Sequence, residues 1–269
     1  MLELKKALDG CSQNPTVPAR ELHRLLGYPP GHLPAERVTK IVSKIGAWYR
    51  ENGRPWTSIC SLGISDIQDQ AIRLATGHWL TSNRLAADLH QGEADQLAVV
   101  AVSAGPEASE RASFLWRHDR LDESFILDAY SSAVSEQLMA RAGARISGQA
   151  EMIGRICLRQ QSPGYGDWTL KDQATLKEIL ADRLAGPLEV LPSGMLRPEK
   201  SMLAVFGLTQ KRDLVIGPSH RIPCSNCDWS PCEYRRSAYV DNGHSTSEAI
   251  SSATRLDATS RITQSVDYV

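Results

Sequence analysis

Phe125-Ile126-Leu127-Asp128-Ala129-Tyr130-Ser131-Ser132-Ala133-Val134-Ser135-Glu136 is the stretch on which the fold turns. Its apolar residues recur at three- and four-residue spacing, the mark of one buried helical stripe. The pattern predicts a helix over residues 123–146, with Ile126, Tyr130, Ala133, Val134 and Leu138 on its buried face. Asp128, Ser132 and Glu136 fall on a second line, at four-residue intervals.

Toward the C-terminus, a strand at residues 153–158 leads into Arg159-Gln160-Gln161-Ser162-Pro163-Gly164-Tyr165-Gly166-Asp167. A helix over 171–184 follows and is ended by Gly186-Pro187. Residues 188–191, 201–209 and 213–216 read as strands, antiparallel neighbours joined by tight turns. Toward the N-terminus, Leu97-Ala98-Val99-Val100-Ala101-Val102 is a continuous apolar run that reads as a buried strand. A charged connector separates it from the long helix. Residues 33–49 form a helix with Pro34 in its first turn, and 56–64 a strand. Residues 69–74 and 82–89 are read as short helices, the second N-capped by Ser82. These elements place one domain over residues 1–239, with a cysteine run at 224–232, and a Ser/Thr-rich flexible tail over 240–269.

The 269 residues suffice for a sizeable core, and 42% hydrophobic with 23% charged is ordinary globular composition. Thirty basic and 31 acidic residues leave a net charge of −1 and no basic stripe, so nucleic acid is not an expected partner. No apolar run approaches a membrane span, and the start, Met1-Leu2-Glu3-Leu4-Lys5-Lys6, has no signal-peptide core. Six cysteines are too sparse for a disulfide scaffold, which points to a cytoplasmic protein.

The Ser-Pro-Gly-Tyr-Gly segment has a physical use. Pro163 fixes φ, while Gly164 and Gly166 open conformations closed to other residues. Successive backbone N–H groups can then face a ligand, and Tyr165 offers an aromatic face to an adenine or a sulfonium. Nothing in the chain matches a P-loop, a nucleophile elbow, a GxGxxG turn or HExxH.

The helix, strand, turn and helix in this order resemble the reactivation domain of cobalamin-dependent methionine synthase, and more closely its free-standing bacterial relatives. The resemblance rests on residues 80–89 with 97–105, on Phe125 to Glu136, on Ser162 to Asp167, and on 191–208 with Met195-Leu196-Arg197-Pro198-Glu199-Lys200-Ser201. It implies an α+β fold, a curved, largely antiparallel sheet with flanking helices. It also implies an S-adenosylmethionine-binding accessory protein that supports reductive reactivation of a corrinoid (cobalamin) held by a partner methyltransferase or methionine synthase core. Stand-alone catalysis is not implied, and an electron-donor protein is a further implied partner.

Ser162, Gly164 and Tyr165 match the family's turn directly, and Glu136 is the implied partner of the ligand's ammonium. The family's carboxylate-binding arginine falls on Gln160, with Arg159 one place earlier. In a regular strand that shift reverses the face, so either a bulge returns Arg159 to the site or a neutral amide replaces it. This departure supports the alternative, a non-catalytic metal-binding or sensor module that kept the fold and lost the ligand. Phe206 is the candidate aromatic on the late strand.

Cys224-x2-Cys227-x4-Cys232 lets three thiolates converge on zinc or an iron–sulfur cluster, with His220, Cys157 or a partner as fourth ligand. The free-standing relatives end in a similar run. Cys11, Cys60 and Cys157 stand alone and read as packing residues.

Overall fold

The computed structural model describes residues 15–29, 31–211 and 232. Six helices and eight strands occupy them: α1 Ala19–Leu25, α2 Glu36–Asn52, β1 Trp56–Gln68, β2 Ala71–Leu74, β3 Trp79–Thr81, α3 Asn83–Gln91, β4 Ala94–Ser103, α4 Pro106–Arg117, α5 Leu121–Met152, β5 Ile156–Gln161, α6 Asp172–Leu180, β6 Glu189–Val190, β7 Leu196–Arg197 and β8 Ser201–Thr209. A 3₁₀ turn, Ala181–Arg183, extends α6. The main sheet has the order β3-β2-β1-β4-β8-β5, every pair antiparallel, and it is not closed into a barrel. The α+β class read from the sequence is the fold observed.

β4 explains why the apolar run is continuous rather than alternating. Ala98, Val100 and Val102 enter one core with α1, α2, α4 and α5. Leu97, Val99 and Ala101 enter a second core with α3 and α6 on the other face. A strand covered on both sides has no polar face to show. Over the first face lies α5, whose 32 residues bury Ile126, Leu127, Val134, Leu138 and Ile146. Each such aliphatic side chain contributes about 1.5–3 kcal/mol. The helix ends where Gly154, at φ 71°, donates its N–H to Glu151 and the Arg155 N–H bonds the Ala150 carbonyl.

Several elements differ from the sequence reading. The segment at 69–74, read as a helix, is a turn followed by strand β2. The charged connector contains the twelve-residue helix α4. The strand at 188–191 pairs as β6 with β7 in a separate small sheet, and β8 has β4 and β5 as neighbours instead. Ser82 is the N-cap of α3, its Oγ accepting from the Leu85 N–H at 3.1 Å. The strand expected at 213–216, the start of the chain and the tail lie outside the described residues.

Candidate functional site

The geometry of the site begins in the register of β5. Ile156 and Cys157 oppose Thr209 and Leu208, whereas Gln160 and Gln161 oppose Phe206 and Val205. Three steps along β5 match two along β8, so β5 carries one extra residue as a bulge. The bulge expected as one way for Arg159 to escape alternation is therefore present. It turns the side chain toward α3. Arg159 Nε donates to Asp88 Oδ2 at 2.8 Å, its Nη2 reaches Asp88 Oδ1, and Gln161 Nε2 joins the same carboxylate. This two-pronged guanidinium–carboxylate pair is a strong geometry, and both side chains are largely buried. Gln160, opposite the core residue Phe206, faces the α5 side. Arg159 and Gln160 thus point to opposite faces of the sheet.

The turn continues from there. Gln160 Nε2 donates to Ser162 Oγ at 3.3 Å, and Ser162 is buried. Pairing between β5 and β8 stops at Val205, yet β4 pairs with β8 as far as Ser201. Among the described residues, residues 201–204 of β8 consequently have a strand on one side only, at the end of the sheet where β5 gives way to the turn. Within the turn, Gly164 adopts φ 94° and Gly166 φ 60°. The Gly164 N–H bonds the Trp168 carbonyl at 2.7 Å and the Tyr165 N–H bonds the Ser162 carbonyl at 3.3 Å. Those amides, read from the sequence as ligand donors, are turned inward. The Tyr165 ring is about half exposed.

Asp167 leaves the turn to hold the start of α3, accepting from the Asn83 N–H at 2.6 Å and from Ser82 Oγ at 3.2 Å. A carboxylate suits that position, where unpaired amides and the positive end of the helix dipole meet. Trp168 is buried, and its Nε1 donates to Asp172 Oδ2 at 2.7 Å. The turn is thereby fastened to α3 and α6.

Glu136 lies on α5 in an ion pair with Arg24 of α1 at 2.8 Å, and Arg24 also meets Glu21 at 3.0 Å. Phe206 is a core residue in close approach to Gly143 of α5, not a surface aromatic. The sequence reading assigned no role to Asp88, Asp167 or Arg24. Each has a partner across a large sequence separation, which no local pattern encodes.

Of the cysteine run, Cys224 and Cys227 lie outside the described residues, and Cys232 is a half-buried free thiol. Cys60 and Cys157 are buried, as packing residues would be. Among the described residues, no group of three or more His, Cys, Asp or Glu side chains is placed to hold a metal ion. No described helix is long and apolar enough to cross a membrane.

No family model matches this sequence, and no curated protein matches it either. Among solved structures, the chain is similar in fold to the MetH reactivation domain bound to AdoHcy. The TM-score is 0.52 at 14% identity, over 72% of this chain and 70% of that one. The likeness is one of fold.

Proposed function

We propose that this chain binds S-adenosylmethionine or its demethylated product and supports methylation of a corrinoid carried by a partner methyltransferase. The observation that carries the reading is the position of the Ser162-Pro163-Gly164-Tyr165 turn. It sits beside the part of β8 that no described strand pairs on that side, in a fold similar to that of a domain bound to AdoHcy. On this reading, Ser162, Gln160 and Tyr165 border the ligand, and the half-exposed Tyr165 ring covers its adenine or sulfonium. A reduced corrinoid on the partner supplies the nucleophile, so the chain needs no general base. Its own share is to hold the donor in one geometry and keep water from the sulfonium.

Calorimetric titration of the full chain with S-adenosylmethionine tests the reading, with Gly164→Val and Tyr165→Ala as controls. Binding that both variants weaken supports it. No heat at millimolar ligand would sink it.

A second reading has its own support: the fold is kept and the ligand lost. Arg159 is committed to Asp88 and the turn's amides to its own carbonyls. In either reading Cys224, Cys227 and Cys232 are proposed ligands of zinc or an iron–sulfur cluster, on the strength of their spacing. Metal analysis and the visible spectrum of anaerobically purified protein check this, and unchanged metal content in Cys227→Ser would refute the ligand set.

A further inference from the structure

A cleft of about 410 Å³ opens between α4, α5 and the segment just before β8. It lies within the size range of small-molecule sites. Two large rings border it in solvent, Trp116 at 63% and Phe125 at 59% exposure. Its α4 wall is built from small residues, Ala108 and Ala112 among them, which keeps it concave. Ser109 Oγ, on the same wall, is buried and has no hydrogen-bond partner among the described residues.

The charges in the cleft are balanced but not all spent. Lys200 Nζ and Asp128 Oδ2 neutralise each other at 2.8 Å. Arg117 uses only Nε, on the Ser113 carbonyl at 3.3 Å, so its terminal nitrogens have no partner among the described residues. The Glu199 carboxylate makes no hydrogen bond or ion pair among them. One open cation and one open anion therefore share a cleft with exposed aromatic faces. A plain anion would meet two carboxylates, and a plain cation two basic groups. A molecule carrying both charges meets a partner for each.

We infer that this cleft binds a zwitterionic α-amino acid bearing an aromatic or heteroaromatic group, with its carboxylate on Arg117, its ammonium on Glu199 and its ring against Trp116 and Phe125. The inference stands apart from the proposed function, because none of these residues belongs to the turn. Two sources share the chemistry: free aromatic amino acids and S-adenosyl amino acids.

The test is saturation-transfer NMR and calorimetry on the full chain with L-phenylalanine, L-tryptophan and S-adenosylhomocysteine as separate probes. At least one should bind, and Arg117→Ala and Trp116→Ala should each weaken it by about tenfold or more. Both positions are exposed, so neither substitution threatens the fold. 3-Phenylpropionate and phenethylamine, which keep one charge each, should bind more weakly than L-phenylalanine if that is the ligand. Binding of S-adenosylhomocysteine that falls in Tyr165→Ala but not in the cleft variants, with neither aromatic amino acid bound, overturns the inference and leaves the proposed function standing. Loss in the cleft variants alone supports the inference. Binding by no probe overturns it outright.

Discussion

The turn after β5 and the cleft between α4 and α5 treat their polar groups in opposite ways. In the turn, the Arg159 fork closes on Asp88, the Gly164 and Tyr165 amides on nearby carbonyls, and Asp167 on the start of α3. In the cleft, the end of Arg117, the Glu199 carboxylate and the Ser109 hydroxyl have no partner among the described residues, beside rings left in solvent. A polar group already matched within the chain offers a ligand only the difference between two similar hydrogen bonds. A group that faces solvent exchanges only water for the ligand and breaks no bond within the chain. The difference separates a segment that looks like a site from its sequence from one that has the unspent chemistry of a site.

The comparison breaks most readily at Asp88. Removing one partner of a buried ion pair strands the other charge, at about 3–5 kcal/mol. The two side chains are 9% and 17% exposed, which places Asp88→Ala near the lower end, at about 3 kcal/mol. Urea denaturation should show the midpoint shift at unchanged slope. A loss under about 1 kcal/mol would mean the pair does not hold the turn side together.

A smaller effect is expected at Gly164. Its φ of 94° is closed to branched residues, and an added Cβ would lie 3.0 Å from Leu170 Cδ2. Gly164→Val should destabilise by about 2 kcal/mol, while Tyr165→Ala, one residue on and exposed, should change stability by less than about 0.5 kcal/mol. Equal effects at the two positions would show that the turn is looser than its internal hydrogen bonds indicate.

What could be read in advance follows the range of the forces involved. α5 announces itself through a repeating buried stripe, Ser82 through its chemistry as a cap, and β8 through a run matching the observed residues 201–209. α4 does not, because only Ala108 and Leu115 of its twelve residues are buried and no stripe forms. β2 is four residues long, too short to separate a period of two from one of 3.6. The bulge at Arg159 is set by where β8 pairs with β5, so the face of that arginine is a property of two strands and not of one. For the same reason the turn's sequence could be recognised while the fate of its donors could not. The cleft draws Arg117 from the helix that the sequence concealed.

At about 1 kcal/mol, Tyr49 tests what supports the cleft. Its hydroxyl donates to the Ala104 carbonyl at 2.5 Å, immediately ahead of the turn into α4. Tyr49→Phe keeps the ring and forfeits that bond, worth about 0.5–1.5 kcal/mol. The variant also carries a pH signature. Burial first, then the nearby Tyr130 and Glu107, push the Tyr49 hydroxyl well above its ordinary value near pH 10. A folded-state value raised above the unfolded one means stability is full below about pH 10 and falls as pH climbs beyond it, where the unfolded chain sheds the proton more readily. Tyr49→Phe should flatten that alkaline decline. A decline identical to that of the unsubstituted chain would assign it to other groups, Tyr130 first, which burial also raises.

The smallest stability effect carries the sharpest version of the contrast. Arg117→Ala and Glu199→Gln remove groups that have solvent on one side and, Arg117 Nε excepted, no partner among the described residues. Each should shift stability by no more than about 0.5 kcal/mol. Groups kept for folding, such as Asp88, are expensive to remove because the fold already uses them. Groups kept for a ligand should be nearly free to remove until the ligand is added. If Arg117→Ala proves as destabilising as Asp88→Ala, the cleft is a structural joint and its open charges are incidental. If it is silent in denaturation yet reduces binding about tenfold, stability and recognition have been assigned to different regions of one chain.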